Sequence, residues 1–74
     1  MEQQRPSIGR IVHYHALSSD GPVVTHPAVV TRVHSDRCVN LTILFDGGAP
    51  EPRTSVERAT ESDVAGRWSW PPRA

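Results

Sequence analysis

The sequence predicts a small all-β domain, a barrel or roll of four to five short antiparallel strands. Two observations lead to this class. Runs rich in β-branched and aromatic residues recur along the chain, and clusters of Gly, Pro, Asp and Ser separate them. The chain has 74 residues, which is enough for one domain with a thin core. In scale, such a roll is SH3-like.

The first part of the chain predicts a leader, a strand and a loop. Residues 1–7 are polar and predict a flexible leader, so that the single β domain spans 8–74. The stretch IGRIVHYHAL predicts a strand over 9–16, with Gly9 at a bulge or a close backbone approach. Residues 18–27 hold an Asp-Gly-Pro turn signal and a second proline, which favour a loop with an extended, unpaired middle.

The second part predicts a hairpin and two further short strands. Two β-branched runs flank Ser-Asp-Arg, and they predict paired strands over 28–34 and 38–45. After the turn cluster DGGAPEP, a weak period suggests a strand over 54–59. A helical turn over 62–65 is compatible with Ser62 as its cap, and RWSW predicts a last strand that Pro71 ends.

Both tryptophans lie in the last seven residues of a chain with only 5% aromatic residues. Trp68 and Trp70 are two apart, so on a strand they share a face and can supply bulk to a thin core. The alternative is that an indole lines a pocket or a subunit interface. The expected core comprises one or both tryptophans and Val12, Val30, Val33, Val39, Leu41 and Ile43.

Composition excludes several classes of function. Eight basic and eight acidic side chains give zero net charge, which disfavours nucleic acid as a partner. No apolar run approaches the roughly 20 residues of a membrane span, and the N-terminus lacks the pattern of a signal peptide. A single cysteine rules out an internal disulfide, so we expect a protein of the cytoplasm. The thin core favours a homo-oligomer.

No constellation of residues indicates catalysis. There is no glycine-flanked serine and no phosphate-binding glycine loop, and the lone Cys38 fits a small buried hydrophobe better than a nucleophile. His13 and His15 lie on one strand face at a spacing that suits a metal ion only if a third ligand approaches from elsewhere. We therefore expect no enzyme activity, no cofactor and no metal.

Several segments resemble a group of small, largely uncharacterised phage and prophage proteins. The segments are RPSIGRIVHYH, AVVTRVH, VNLTILF and above all WSWPPR, which is similar to the Trp-x-Trp-Pro-x-Arg tail of that group. The resemblance covers about two-thirds of the chain. It implies a phage or prophage origin, a small β fold and action in the cytoplasm of the host bacterium, but no reaction.

Two functions remain open at this stage. One is an anti-defence sponge that sequesters a nucleotide-derived immune signal, by analogy with small phage proteins that trap such signals. Arginine beside an aromatic ring on a β scaffold suits phosphate and base recognition. The alternative is a virion-accessory or protein-interaction module that binds a host or phage protein. The predicted ligand-binding residues are Tyr14, Trp68, Trp70, Arg10, Arg73, His13 and His15.

Overall fold

The computed structural model describes residues 5–18 and 21–72, and it confirms the all-β prediction. The strands are β1 (Ile11–Leu17), β2 (Val23–Val33), β3 (Cys38–Ile43), β4 (Glu51–Glu57) and β5 (Arg67–Ser69). They form one curled antiparallel sheet in the order β4-β3-β2-β1-β5, and the described residues include no helix. The sheet is a half-barrel of the SH3-like kind that the sequence predicts.

The two ends of the sheet meet just after β4. An isolated bridge joins Arg58 to Trp68, and the Ala59 N–H donates to the Trp68 carbonyl at 2.7 Å. The Trp68 indole Nε1–H also donates to the Arg37 carbonyl at 3.0 Å, which ties β5 to the hairpin between β2 and β3. The C-terminal strand therefore links two distant parts of the chain.

The core lies on the concave face and follows the period-2 pattern of the strands. Trp68 is fully buried, and its ring contacts that of Trp70 edge to face, with 5.4 Å between centroids. This confirms the prediction that Trp68 belongs to the core. The other residues of this buried core are Val12, Tyr14, Ala28, Val30, Val39, Leu41, Ile43 and Val56.

Val33 is the exception, since it is 37% exposed and the prediction that it belongs to the core is wrong. The β2–β3 register shifts between Val30 and Arg32, which breaks the alternation of faces beyond Val30. Val33 is also the last residue of β2, where the hairpin reaches its turn.

The predicted unpaired loop is also wrong, because β2 begins at Val23 and pairs with β1 from Leu17 back to Ile11. Pro27 lies within this pairing. Val30 N–H donates to the Arg10 carbonyl, so alternate residues of β2 bond to β1 and Pro27 falls between them. Its carbonyl instead accepts the Leu44 N–H at 2.9 Å, where the β2–β3 ladder ends. Proline is tolerated there because no donor to β1 is needed.

The predicted bounds of the later elements shift as well. The third strand ends at Ile43 rather than at residue 45, and β4 begins at Glu51, three residues before the predicted start. Pro52 is tolerated because β4 lies at the edge of the sheet. The helical turn over 62–65 does not form. Instead Asp63 N–H donates to Thr60 Oγ1 at 3.0 Å and Thr60 N–H donates to the Asp63 carbonyl.

Part of the predicted leader lies within the described residues. Pro6 is buried, and the Arg10 N–H donates to the Ser7 carbonyl at 3.1 Å. Gly9 donates to the Val30 carbonyl at 2.8 Å and has a φ of 91°, a conformation that favours glycine. A Cβ at this position would meet nothing within 4 Å, so the conformation, and not a close backbone approach, accounts for the glycine. Contacts with the domain thus begin before Ile8.

Candidate functional site

An open cleft of about 720 Å³ lies beside β5, where the end of β4 and the β2–β3 hairpin approach β1. Its lining combines cationic, hydroxyl and apolar side chains. The residues are His15, Arg37, Arg58, Ala59, Thr60, Glu61, Val64 and Ser69.

Two arginines of this cleft are held by the contacts of Trp68. The Arg58 guanidinium carbon lies 5.8 Å from the centre of the Trp68 ring, a cation–π distance. The Arg58 N–H donates to the Arg37 carbonyl at 2.7 Å, and the same carbonyl accepts the Trp68 indole. The backbones of both arginines are therefore fixed relative to each other by one buried side chain.

The hairpin turn positions Arg37 from the other side. The Ser35 hydroxyl oxygen accepts the N–H groups of Arg37 and Cys38 at 3.2 and 3.1 Å. In the described part of the chain, the ion pairs that form join Arg5 to Asp36 and Arg53 to Glu51, so neither cleft arginine takes part in one. Both guanidinium groups are left with donors for a ligand.

Hydroxyl groups lie beside these cations. The Thr60 oxygen accepts the Asp63 N–H, so its own proton remains free to donate. Ser69 Oγ lies 2.7 Å from His15 Nε2, and Thr25 Oγ1 lies 3.1 Å from His15 Nδ1. Burial of the imidazole, and then the neighbouring His13, lower the pKa of His15. The ring is therefore neutral at pH 7.

The lining has a positive charge balance. Arg37 and Arg58 contribute two positive charges, and Glu61 contributes one negative charge. Val64 and Ala59 supply apolar contact area without an aromatic ring. Such a cleft can hold an anionic group against the guanidinium forks and hydroxyls, with an apolar part of the ligand beside it.

Among the predicted site residues that the structure describes, only His15 lines this cleft. Tyr14 is 9% exposed and Trp68 is fully buried, so both are core residues without a free ring face. Trp70 is half-buried, and the Arg10 guanidinium lies over its ring at 5.5 Å. The structure thus joins the predicted arginine–aromatic pair, but away from the cleft.

Neither His13 nor Arg73 is placed in the cleft by the described residues. His13 is half-buried on β1, where it pairs with Ser69 across the strand. Arg73 lies outside the described residues. No group of three or more His, Cys, Asp and Glu side chains within residues 5–18 and 21–72 is placed to hold a metal ion.

Sequence reasoning missed Arg37, Arg58, Thr60 and Ser69. They come from three separate segments that only the closure of the sheet brings together. The sole signal in the sequence is that every basic residue is arginine, which suits bidentate recognition of anions but also follows from a GC-rich genome.

Cys38 is half-buried at the start of β3, directly opposite Glu57 on β4. Burial of the thiol, followed by its interaction with the Glu57 carboxylate, raises its pKa. A thiol with a raised pKa is a weak nucleophile at neutral pH. Cys38 is thus unsuited to nucleophilic chemistry.

Comparisons with protein-family models, curated proteins and solved structures gave no significant match. Across the described segments of the chain, no helix has the length and apolar character that a membrane crossing requires. Function must therefore be argued from the cleft itself.

Proposed function

We propose that this protein is a non-enzymatic binding module for a small phosphate-bearing ligand, which it holds in the cleft and releases unchanged. The observation that supports this most directly is the pair Arg37 and Arg58, whose backbones are joined through Trp68 and whose side chains form no ion pair within the described chain. The Arg58 guanidinium lies over the Trp68 ring, so it can bind phosphate bidentately at a low cost in side-chain entropy.

The ligand class that we favour is a nucleotide-derived signal. Thr60 adds a hydroxyl donor and Ser69 a hydroxyl group to the phosphate site, while Val64 and Ala59 offer an apolar surface to a sugar or base. Together with the resemblance to phage proteins, this leads to an anti-defence sponge that lowers the concentration of an immune signal in the host cytoplasm. Neutral His15 and the weakly nucleophilic Cys38 favour sequestration over chemical conversion.

Calorimetry with cyclic dinucleotides, cyclic oligonucleotides and ADP-ribose derivatives tests the proposal, and one of these should bind at tens of micromolar or below. Arg58→Gln should weaken binding by about 10- to 100-fold, because a hydrogen bond to a charged group contributes about 1.5–3 kcal/mol. Arg32→Gln is the matched control, since Arg32 is exposed on β2 and does not line the cleft. Heat denaturation of the complex should return the ligand intact.

A second candidate function is protein interaction, including self-association. On the outer face of β1 and β2, Ile11 and Leu17 are 49% and 68% exposed, and Leu17 lies opposite Val23, which is 42% exposed. Where the two strands pair, over residues 11–17 and 23–29, the outward side chains include no Asp, Glu, Lys or Arg, so two copies can meet along this stretch without charge repulsion.

Light scattering at micromolar concentration distinguishes this candidate from a monomeric sponge. Leu17→Glu should reduce the measured mass of an oligomer to that of the monomer and leave ligand binding in the cleft unchanged. If calorimetry shows no heat with any of the nucleotide ligands, protein interaction becomes the preferred function.

A further inference from the structure

His15 lies between the cleft and the outer face of the sheet, with a hydroxyl group at each ring nitrogen. Nε2 is 2.7 Å from Ser69 Oγ, and Nδ1 is 3.1 Å from Thr25 Oγ1. His15 and Ser69 both line the cleft. Any change in the protonation of the ring is therefore transmitted to a hydroxyl group that a ligand can contact.

The two protonation states place different demands on Ser69. A neutral imidazole has one N–H, and in the tautomer that carries it on Nδ1 the Thr25 hydroxyl accepts from the ring while Ser69 donates its proton to Nε2. In the protonated ring both nitrogens are donors, so Ser69 and Thr25 must both accept. The Ser69 proton is then released from the ring and becomes available to an anion in the cleft.

The charges around His15 also make its protonation depend on a bound anion. His13 precedes it by two residues on β1, and Arg67 is its cross-strand partner on β5. The cleft adds Arg37, Arg58 and the carboxylate of Glu61, while β2 contributes only the neutral Thr25 at this point. Protonation therefore adds a positive charge among other cations, and it is unfavourable until an anion offsets that charge.

We propose that anion binding in the cleft is coupled to protonation of His15, with Ser69 as the hydroxyl donor that protonation releases. The inference rests on the proposed function, and it makes the cleft a pH-dependent site. By reciprocity, the affinity for the anion rises as the pH falls, and the bound anion raises the pKa of His15 by a matching factor. The lowered pKa of His15 agrees in direction with this coupling.

Sulfate is the probe, because it stays a dianion between pH 5 and pH 8 and does not itself exchange protons there. NMR titration of the imidazole signals, with chloride at matched ionic strength as the reference, gives the pKa of each histidine. We expect sulfate to raise the pKa of His15 by an amount that corresponds to about fivefold or more in affinity. His26, which packs on Phe45 and does not line the cleft, should shift far less.

Three variants separate the effect of the His15 charge from that of the Ser69 hydroxyl. His15→Asn should make the sulfate affinity independent of pH, whereas His13→Asn should leave most of the dependence in place. Ser69→Ala should reduce the coupling and keep the pKa of His15 measurable. Backbone amide spectra of each variant report that it is folded.

The outcomes also distinguish this inference from the proposed function. If sulfate shifts the amide signals of Arg58 and Thr60 but leaves the pKa of His15 unchanged, the coupling is refuted and the anion site stands. If no cleft signal moves with sulfate or with the nucleotide ligands, both proposals fail.

Discussion

The two tryptophans differ in whether the indole N–H has a hydrogen-bond partner, so the same substitution can be compared at both positions. Trp68 Nε1 donates to the Arg37 carbonyl at 3.0 Å, whereas Trp70 Nε1 is buried and has no partner in the described part of the chain. Trp→Phe at either position removes the indole N–H and keeps an aromatic ring. The pair of variants therefore measures what each N–H contributes to stability.

At Trp68 the change removes a hydrogen bond of about 1 kcal/mol. The lost ring atoms and the void that they leave add about 1–2 kcal/mol, because the side chain is fully buried. The Arg37 carbonyl keeps the Arg58 N–H, so no acceptor is orphaned. Trp68→Phe should therefore lower the free energy of unfolding by about 2–3 kcal/mol, or roughly 10–20 °C in Tm for a domain of this size.

At Trp70 the balance differs, because an unpartnered buried donor costs about 1–3 kcal/mol and the substitution removes it. The smaller phenylalanine ring loses part of the contact with Trp68 and Arg10, which offsets much of that gain. Trp70→Phe should change the free energy of unfolding by about 1 kcal/mol or less in either direction.

Urea unfolding followed by far-ultraviolet circular dichroism measures both variants without relying on tryptophan fluorescence. Equal losses of stability would refute the reasoning, since they would mean that ring volume alone matters. A larger loss for Trp70→Phe would show that its N–H has a strong partner in solution.

Three further predictions concern single side chains. Asn40→Ala should cost about 1 kcal/mol, because Asn40 Oδ1 accepts the N–H of Ser55 in its left-handed conformation at 2.8 Å, and Asn40→Asp should retain most of that stability in urea unfolding. The pKa of His15 is lowered in the folded state, so the unfolded chain binds more protons below about pH 6.5. The free energy of unfolding should therefore fall from pH 7.5 to pH 5.5, and it should fall less in His15→Asn. Cys38 should react slowly with iodoacetamide at pH 7.5, and Glu57→Gln should accelerate the alkylation measured by mass spectrometry.

The sequence predicts those parts of the fold that depend on local pattern. The alternation around Leu41 places one face of β3 in the core, and the spacing of Trp68 and Trp70 puts both rings in contact. Local pattern does not predict which strands pair. Pro27 is a loop signal in the local sequence, but whether a strand tolerates proline at a given position depends on which neighbouring strand needs its N–H as a hydrogen-bond donor. Local sequence does not contain that information.

The candidate site was harder to predict for the same reason. Arg37 and Arg58 lie in a hairpin turn and just after an edge strand, two places where an arginine usually has only a solvated role. Their proximity depends on the bridge between Arg58 and Trp68, a contact between the two ends of the sheet. Tyr14, by contrast, is among the predicted ligand-binding residues, although strand alternation already places it on the same face as Val12, in the core.

The position of the tryptophans at the end of the chain has a structural reason. A curled sheet of this size is stabilised by the contacts between its two edge strands, and here the three-residue strand β5 makes those contacts. A small side chain at position 68 could form the backbone contacts to Ala59 but could not reach the Arg37 carbonyl in the opposite hairpin. The indole does reach it, and its ring also lies under the Arg58 guanidinium. Stability and the proposed anion site consequently depend on the same buried side chain, so substitutions at Trp68 should act on both.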